Sequence, residues 1–237
     1  MSFLILVRHG QSIWNLENRF TGWVDIDLTE KGKLEAEKAG ILIKQRNIKI
    51  NFYYSSLQLR ANNTLKIIQE VLNDNKNFVR AWQLNERHYG ILTGLNKVEM
   101  IKKIGEKKVH EFRRSWDIKP EPLDKENLYH PLNIKVYEDI PKNLIPDTES
   151  LKDTYDRVSE YFEDEIKQNL INGNVLISAH GNSIRALCKK LFNLDNNQIS
   201  NLEIPTGNPL VIELDKNSKI IQCEYLDKER AKSLLIF

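Results

Sequence analysis

The chain has 237 residues, 41% of them hydrophobic and 29% charged, which is enough for one large globular domain with a sizeable core. A formal net charge of +2 is nearly balanced and gives no reason to expect a nucleic-acid or membrane partner. The two cysteines, Cys188 and Cys223, are too few for a disulfide framework, fit a reducing compartment, and are both expected to pack in the core.

Phe3-Leu4-Ile5-Leu6-Val7 is an unbroken apolar run that suits a strand buried on both faces of a sheet. Five residues are too few for a signal peptide or a membrane span, so a soluble cytoplasmic protein is expected. Arg8 and His9 follow at the carboxyl end of the strand, where side chains reach a ligand crevice. Gly10 is expected to let the backbone turn sharply and leave His9 open to approach. A neutral imidazole is a nucleophile and a guanidinium is a fork for phosphate oxygens, so the pair points to phosphoryl transfer through a phosphohistidine. Thr29 is expected to cap a helix from Glu30 to about Gln45, with Leu34, Ile41 and Leu42 on its apolar side. Phe52-Tyr53-Tyr54-Ser55 reads as a strand, and Leu57 to Leu72 as a helix in which Leu65, Ile68 and Leu72 recur at helical spacing. A short strand at Phe78 to Ala81 and one or two helices between Leu95 and Trp116 come next. Pro120, Pro122, Pro131, Pro141 and Pro146 punctuate a segment expected to run over the surface. A long helix from about Thr148 to Asn169 precedes the clearest strand, Asn174 to Ala179, and then a helix from Ser183 to Phe192. Strands at Leu210 to Leu214 and Ile220 to Tyr225 close the pattern. The alternation predicts an α/β fold, a three-layer sandwich with a mostly parallel central sheet flanked by helices, in a single domain over residues 1–237.

The opening pattern recurs. Val175-Leu176-Ile177-Ser178-Ala179 leads into His180-Gly181-Asn182-Ser183, again an apolar strand, then His-Gly, then a helix start. Two parallel strands that each end in His-Gly bring both histidines to one crevice, and the helix after His180 points free N–H groups and a positive dipole end at an anion. Arg60 adds a cation at the start of the helix after the Tyr53-Tyr54-Ser55-Ser56 strand end, although taken alone a solvated helix-surface arginine is the default reading. Leu84-Asn85-Glu86-Arg87-His88-Tyr89-Gly90 is a third polar cluster after a predicted strand. Its carboxyl group is a candidate proton donor and acceptor for a substrate hydroxyl, the plainer alternative being that Glu86 balances Arg87. Arg113 and Arg114, with Lys97 upstream, are either a second anion clamp or a charged helix face.

These residues carry a resemblance over nearly the whole chain, from Phe3 to about Tyr225. The chain resembles the cofactor-dependent phosphoglycerate mutases of the histidine phosphatase superfamily. Leu6-Val7-Arg8-His9-Gly10-Gln11-Ser12-Ile13-Trp14-Asn15 and Ala179-His180-Gly181-Asn182-Ser183-Ile184-Arg185-Ala186-Leu187 are two of its strongest blocks. The Arg-His-Gly triplet marks only the superfamily. Asn18-Arg19-Phe20-Thr21-Gly22-Trp23 and Asn85-Glu86-Arg87-His88-Tyr89-Gly90 are more specific to the mutase branch, and Ile204-Pro205-Thr206-Gly207 also fits. The resemblance implies that His9 is the nucleophile and that Arg8, Arg60 and His180 bind the equatorial oxygens of the phosphoryl group, with help from Asn15, Gly181 and Asn182. Glu86 would be the general acid/base. Thr21, Gly22, Arg87, His88, Tyr89 and Lys97 would line the substrate pocket, and Arg113 and Arg114 would grip the substrate carboxylate or distal phosphate. It further implies interconversion of 3-phosphoglycerate and 2-phosphoglycerate, with 2,3-bisphosphoglycerate as primer and intermediate and no metal. The partners would be small-molecule phosphoglycerates, and a homo-oligomer, dimer or tetramer, is common in the family. His9 must be neutral before attack, and the neighbouring cations are expected to disfavour its imidazolium form.

Two features depart from the family pattern. Leu59 stands before Arg60 where relatives often have lysine, which lowers the positive potential at the mouth. The chain closes on Leu234-Leu235-Ile236-Phe237, where many relatives continue into a lysine-bearing tail that helps cover the site, and this bears on the balance between mutase and phosphatase turnover. A bisphosphoglycerate mutase or phosphatase is the nearest alternative, and Ser12 argues mildly against it because those relatives tend to have glycine there. A general phosphomonoesterase would not require Lys97, Arg113 and Arg114 together. A non-catalytic phosphate-binding scaffold would be marked by loss of His9, Glu86 or His180, and all three are present.

Overall fold

A computed structural model describes residues 1–231; the closing Leu234-Leu235-Ile236-Phe237 lies outside the described residues. Six strands, β1 (Ser2–Arg8), β2 (Phe52–Ser55), β3 (Val79–Arg80), β4 (Val175–Ala179), β5 (Leu210–Leu214) and β6 (Ile220–Tyr225), form one sheet in the order β3-β2-β4-β1-β5-β6. The β3/β2, β2/β4 and β4/β1 pairs are parallel, and β1/β5 and β5/β6 are antiparallel, so β5 alone runs against the rest. The α/β architecture with a mostly parallel sheet is therefore the one expected.

The helices are α1 (Ile13–Leu16), α2 (Glu30–Gln45), α3 (Leu59–Leu72), α4 (Lys97–Ile104), α5 (Glu106–Arg114), α6 (Leu151–Tyr161), α7 (Lys167–Asn172), α8 (Gly181–Phe192) and α9 (Asn196–Asn201). Successive side chains of a strand point to opposite faces, and β1 buries both sets. Ile5 and Val7 join Tyr53, Leu176 and Val211 under α2 and α3, against Ala39, Ile43, Leu65 and Ile68. Leu4 and Leu6 join Tyr54, Val175, Ile177 and Ala179 under α6, α7 and α8, against Val158, Leu170, Ile184 and Leu187. Both faces of the sheet are thus covered by helices, and each such apolar side chain contributes about 1.5–3 kcal/mol on leaving water. Cys188 and Cys223 are free thiols packed in the second cluster, where burial pushes both upward in pKa. Among the described residues no helix is long and apolar enough to cross a membrane.

Three expectations change. Thr29 does cap α2 through its side chain and the Gly32 N–H, but Leu34 and Ile41 are exposed, and the buried face is Gly32, Ala36, Ala39, Gly40 and Ile43. The cause is close approach: a Cβ on Gly40 would lie 2.8 Å from Cβ of Val71 on α3, so small residues, not large ones, choose this contact. The expected long helix after Thr148 is interrupted by a π-helical turn at Phe162–Ile166, between α6 and α7. The proline-punctuated segment is not only a surface excursion, because Leu123, His130, Tyr137, Ile140 and Ile145 are buried. Tyr137 packs on Trp23 with ring centroids 5.0 Å apart and donates its hydroxyl hydrogen to the Trp23 carbonyl at 2.5 Å, which ties this segment to the residues after Gly22.

Candidate active site

Strand register brings the two His-Gly turns together. Arg8 pairs with Ala179 at the ends of β1 and β4, and the His9 N–H continues the ladder to the Ala179 carbonyl at 3.0 Å. The residue after each strand is therefore a histidine on the same edge, and the His9 and His180 rings lie 4.9 Å apart. Next to β4, β2 ends at Ser55, so Ser56, Gln58 and Arg60 reach the same edge, and β3 leads to the loop that carries Glu86. Gly10 serves here for a reason other than the expected turn. A Cβ would sit 2.0 Å from the Gly32 carbonyl oxygen, so Gly10 lets the first turn of α2 press against the strand end.

His9 is 2% exposed and its Nδ1 lies 2.7 Å from the Gly10 carbonyl oxygen. A carbonyl only accepts, so Nδ1 carries the proton and the Nε2 lone pair is left as the nucleophile. Arg60 Nε donates toward that Nε2 at 3.3 Å. The Arg60 guanidinium is itself held by the Val24 carbonyl (2.9 Å), the Gly22 carbonyl (2.9 Å) and Gln58 Oε1 (3.2 Å). Burial holds His9 well below the usual histidine pKa, and the Arg60 and Arg8 cations push it in the same direction against the Gly10 hydrogen bond. The neighbouring cations expected to keep His9 neutral are therefore the smaller cause. His180 is lowered in the same way, by burial and then by Arg60. The hydroxyl of Ser56 lies 2.8 Å from His180 Nε2 and accepts from the Gln58 N–H, so its own hydrogen is free for Nε2. Donation of that hydrogen to Nε2 would leave the ring proton on His180 Nδ1, a buried atom with no partner of its own.

Glu86 faces this pair. Its Oε1 accepts from the Arg87 N–H (2.8 Å) and from the Asn182 N–H at the start of α8 (3.2 Å), while Oε2 takes no hydrogen bond among the described residues. Asn182 is oriented by Arg185, whose Nη1 donates to its Oδ1 at 2.7 Å, and it donates in turn to the Tyr89 hydroxyl at 3.0 Å. His9, Asn15, Arg19, Thr21, Gly22, Arg60, Glu86, Tyr89 and Lys97 line one cleft. Asn15 is fixed by a reciprocal capping bond with Ser12, and Lys97 by its place at the start of α4, with its ammonium 5.7 Å from the Phe20 ring centroid.

Lys97 lines the cleft, and a second group of cations, Arg113 and Arg114, stands behind it. Lys97 is lowered to about 8, first by burial and then by Arg113 and Arg8. Arg114 is lowered by burial and, to a lesser degree, by Arg113 and Arg8, with Glu203 paired to it. Arg87 is fully buried; its Nη2 donates to the Phe112 carbonyl at 2.6 Å and its guanidinium lies 4.7 Å from the Tyr89 ring centroid. Arg8 Nε, Thr21 Oγ1, Arg87 Nε and Nη1, Arg114 Nη1 and His180 Nδ1 are all buried without partners. Buried donors without acceptors are costly unless something anionic satisfies them, and a ligand with several anionic oxygens fits this set.

His88 is not with them. It lies in the core with its ring 6.2 Å from that of His130, and its Nδ1 accepts from the Gly90 N–H at 3.1 Å. Sequence reasoning passed over Arg19, Ser56, Gln58 and Arg185. Arg19 and Arg185 lie inside the recognised blocks, and Ser56 follows a strand end as His9 does, so a signal existed for those three; nothing local marked Gln58.

The histidine phosphatase superfamily (branch 1) matches the chain over residues 4–131 and 129–225. A protein of Pelagibacter ubique (strain HTCC1062) called 2,3-bisphosphoglycerate-dependent phosphoglycerate mutase is 68% identical over 238 residues, covering 100% of both chains. One of the same name from Hyphomonas neptunium is 49% identical, covering 99% of this chain and 98% of its own. Among solved structures, a mycobacterial glucosyl-3-phosphoglycerate phosphatase in complex with VO3 superposes with a TM-score of 0.68 at 21% identity, covering 95% of this chain and 97% of its own. A protein named Bacillus stearothermophilus YhfR gives 0.68 at 21% identity, with 93% and 94% covered. These two likenesses establish a shared fold. By its sequence matches the chain belongs to branch 1 of the histidine phosphatase superfamily, alongside the 2,3-bisphosphoglycerate-dependent phosphoglycerate mutases.

Proposed function

We propose that this chain interconverts 3-phosphoglycerate and 2-phosphoglycerate through a phosphohistidine at His9, primed by 2,3-bisphosphoglycerate. The observation that carries the reading is that His9, Arg60 and Lys97 line one cleft, with further cations close behind each end of this set. Arg8, Arg60 and His180 surround the nucleophile, while Lys97, Arg113 and Arg114 form a second group. A simple phosphatase needs one anion clamp; a mutase needs two, because its intermediate must turn round without leaving. The names of the 68% and 49% identical relatives support the same reading.

The chain's own groups then act in a fixed order. With a phosphoryl group on His9 Nε2, a substrate hydroxyl attacks phosphorus and gives its proton to Glu86. The Nε2–P bond breaks and its electron pair returns to the imidazole. Arg8, Arg60 and His180 neutralise the charge on the equatorial oxygens. After the bisphosphate reorients, Nε2 attacks the other phosphorus, the ester P–O bond breaks, and Glu86 returns the proton to the leaving oxygen. No step requires a metal. The reading includes a cytoplasmic enzyme acting on small-molecule phosphoglycerates, with neither nucleic acid nor membrane as partner, and self-association as a dimer or tetramer.

The test is a coupled assay of 3-phosphoglycerate conversion, with and without added 2,3-bisphosphoglycerate, beside a His9→Ala control. Conversion that depends on the bisphosphate and vanishes in the control supports the cycle. Phosphate release without isomer conversion moves the chain to phosphatase chemistry, and no turnover of either kind overturns the enzymatic reading.

A further inference from the structure

Glu149 and Arg157 lie outside the cleft, yet their side chains hold the loop that carries Glu86. Arg157, on α6, has five N–H donors, and all five are used. Nε donates to Glu149 Oε1 at 2.7 Å and Nη2 to Glu149 Oε2 at 3.0 Å. Nη1 donates to the carbonyls of Gln83 (2.6 Å) and Asn85 (3.1 Å), and Nη2 also to that of Glu86 (3.1 Å). Glu149 closes the clamp from the other side: its Oε2 accepts from the His88 N–H at 2.8 Å, and its own N–H donates to the His88 carbonyl at 3.0 Å. Asn85 and Glu86 lie outside any helix or strand, and no backbone N–H among the described residues reaches their carbonyls. The carbonyls of Asn85 and Glu86 are therefore held by the Arg157 side chain and by no backbone donor among the described residues. Glu149 is buried and Arg157 is nearly so, with 4% and 9% of their side chains exposed.

A buried ion pair is weak evidence for stability, since well-packed apolar residues often replace one without loss. What an apolar pair does not supply is four directed side-chain bonds to the stretch from Gln83 to His88. We infer that Glu149 and Arg157 are positioning residues for proton transfer, holding Glu86 against the Asn182 N–H and the cleft. The inference rests on the reading of Glu86 as proton donor and acceptor. Lysine has the charge of arginine but presents three donors from one atom rather than a planar fork of five, so it leaves carbonyls of the loop ungripped.

The experiment exploits the leaving group. When His9 Nε2 attacks a phosphomonoester, a p-nitrophenolate departs unaided as the Nε2–P bond forms, whereas an alkoxide must take a proton from Glu86 as its P–O bond breaks. Wild type, Glu86→Gln, Arg157→Lys and Glu149→Gln are compared on p-nitrophenyl phosphate and on β-glycerophosphate, with kcat/KM as the readout and inorganic phosphate as a competitive inhibitor. Arg157→Lys is expected to lose about ten-fold or more on the alkyl ester, within the range of general acid catalysis. On the aryl ester it is expected to lose no more than about two-fold, with the inhibition constant for phosphate equally steady, because binding is left intact. Equal losses on both esters, or none on either, overturn the inference. If Arg157→Lys does not fold, Glu149→Gln, which keeps the side-chain shape and removes the charge, carries the same comparison. The control separates two failures. If Glu86→Gln itself spares the alkyl ester, the assigned role of Glu86 is wrong and the inference falls with it; if only the clamp variants spare it, the inference alone falls.

Discussion

With Nδ1 committed to the Gly10 carbonyl and Nε2 facing Arg60, His9 has one atom able to attack phosphorus, and burial keeps that atom unprotonated. An imidazole held neutral chiefly by burial depends less on the neighbouring Arg60 and Arg8 cations. In an NMR titration of the ring nitrogens His9 is therefore expected to keep the neutral signature, with its proton on Nδ1, at and somewhat below neutral pH. An imidazolium at neutral pH would count against the phosphohistidine cycle. Glu86 belongs to the same scale, because one oxygen is bound by two backbone N–H groups and the other takes no hydrogen bond among the described residues.

Strands and helices carry the next constraint, which is contact without intervening side chains. The strand end after β1 meets α2 glycine to glycine: a Cβ on Gly10 would reach the Gly32 carbonyl oxygen at 2.0 Å, and one on Gly32 the Gln11 carbonyl oxygen at 2.1 Å. Gly10→Ala is expected to push α2 away and to destabilise the protein by about 1–3 kcal/mol, as overpacking does, while shifting His9. Leu6→Ala, on the opposite face of β1 and fully packed against the α6–α8 layer, is expected to cost about 2–5 kcal/mol with activity per folded molecule retained. Urea midpoints and specific activities separate the two: loss of activity in proportion to unfolding for both variants would mean that the glycine contact does not position the histidine.

For the molecule as a whole, three of the four buried histidines contribute to the response to acid. His9 and His180 are held well below the usual value by burial and by Arg60, and His88 is lowered to about 3 by burial and then by His130 and Arg157, against the opposing pull of Asp147. Unfolded, each would titrate near about 6.5. Below that pH the unfolded chain binds protons that the folded chain refuses, so this stability is complete above about 6.5 and is lost as pH falls, by up to about 1.4 kcal/mol per pH unit per histidine. Urea midpoints taken at pH about 8 and about 5 should therefore fall steeply, and less steeply in His88→Gln. Equal slopes would mean that His88 is not a neutral core group.

Much of the site was legible before folding, because phosphoryl chemistry uses few residue types and strand ends have a recognisable pattern. His9, His180, Arg8, Arg60 and Glu86 each follow, within a few residues, an apolar run or a polar cluster that local sequence makes visible. The apolar runs likewise announced the central strands of the sheet and both faces of β1, since a two-residue period with both sets apolar has one physical meaning. What local sequence did not determine depends on distance between segments remote in the chain. His88 sits in the same polar cluster as Glu86 and Arg87 but turns into the core beside His130. The buried face of α2 is its small residues, because α3 approaches too closely for large ones. Gln58, Glu149 and Arg157 have no local signal, and they matter through bonds to backbone atoms 28 to 74 residues away, such as the Glu86 N–H and the Gln83 carbonyl. By itself the sequence determined the chemistry and the order of the layers, through composition and period. Only the tertiary structure decided which groups hold the reactive ones still, because a hydrogen bond to a backbone carbonyl requires a position and leaves no mark on the identity of the residue that accepts it.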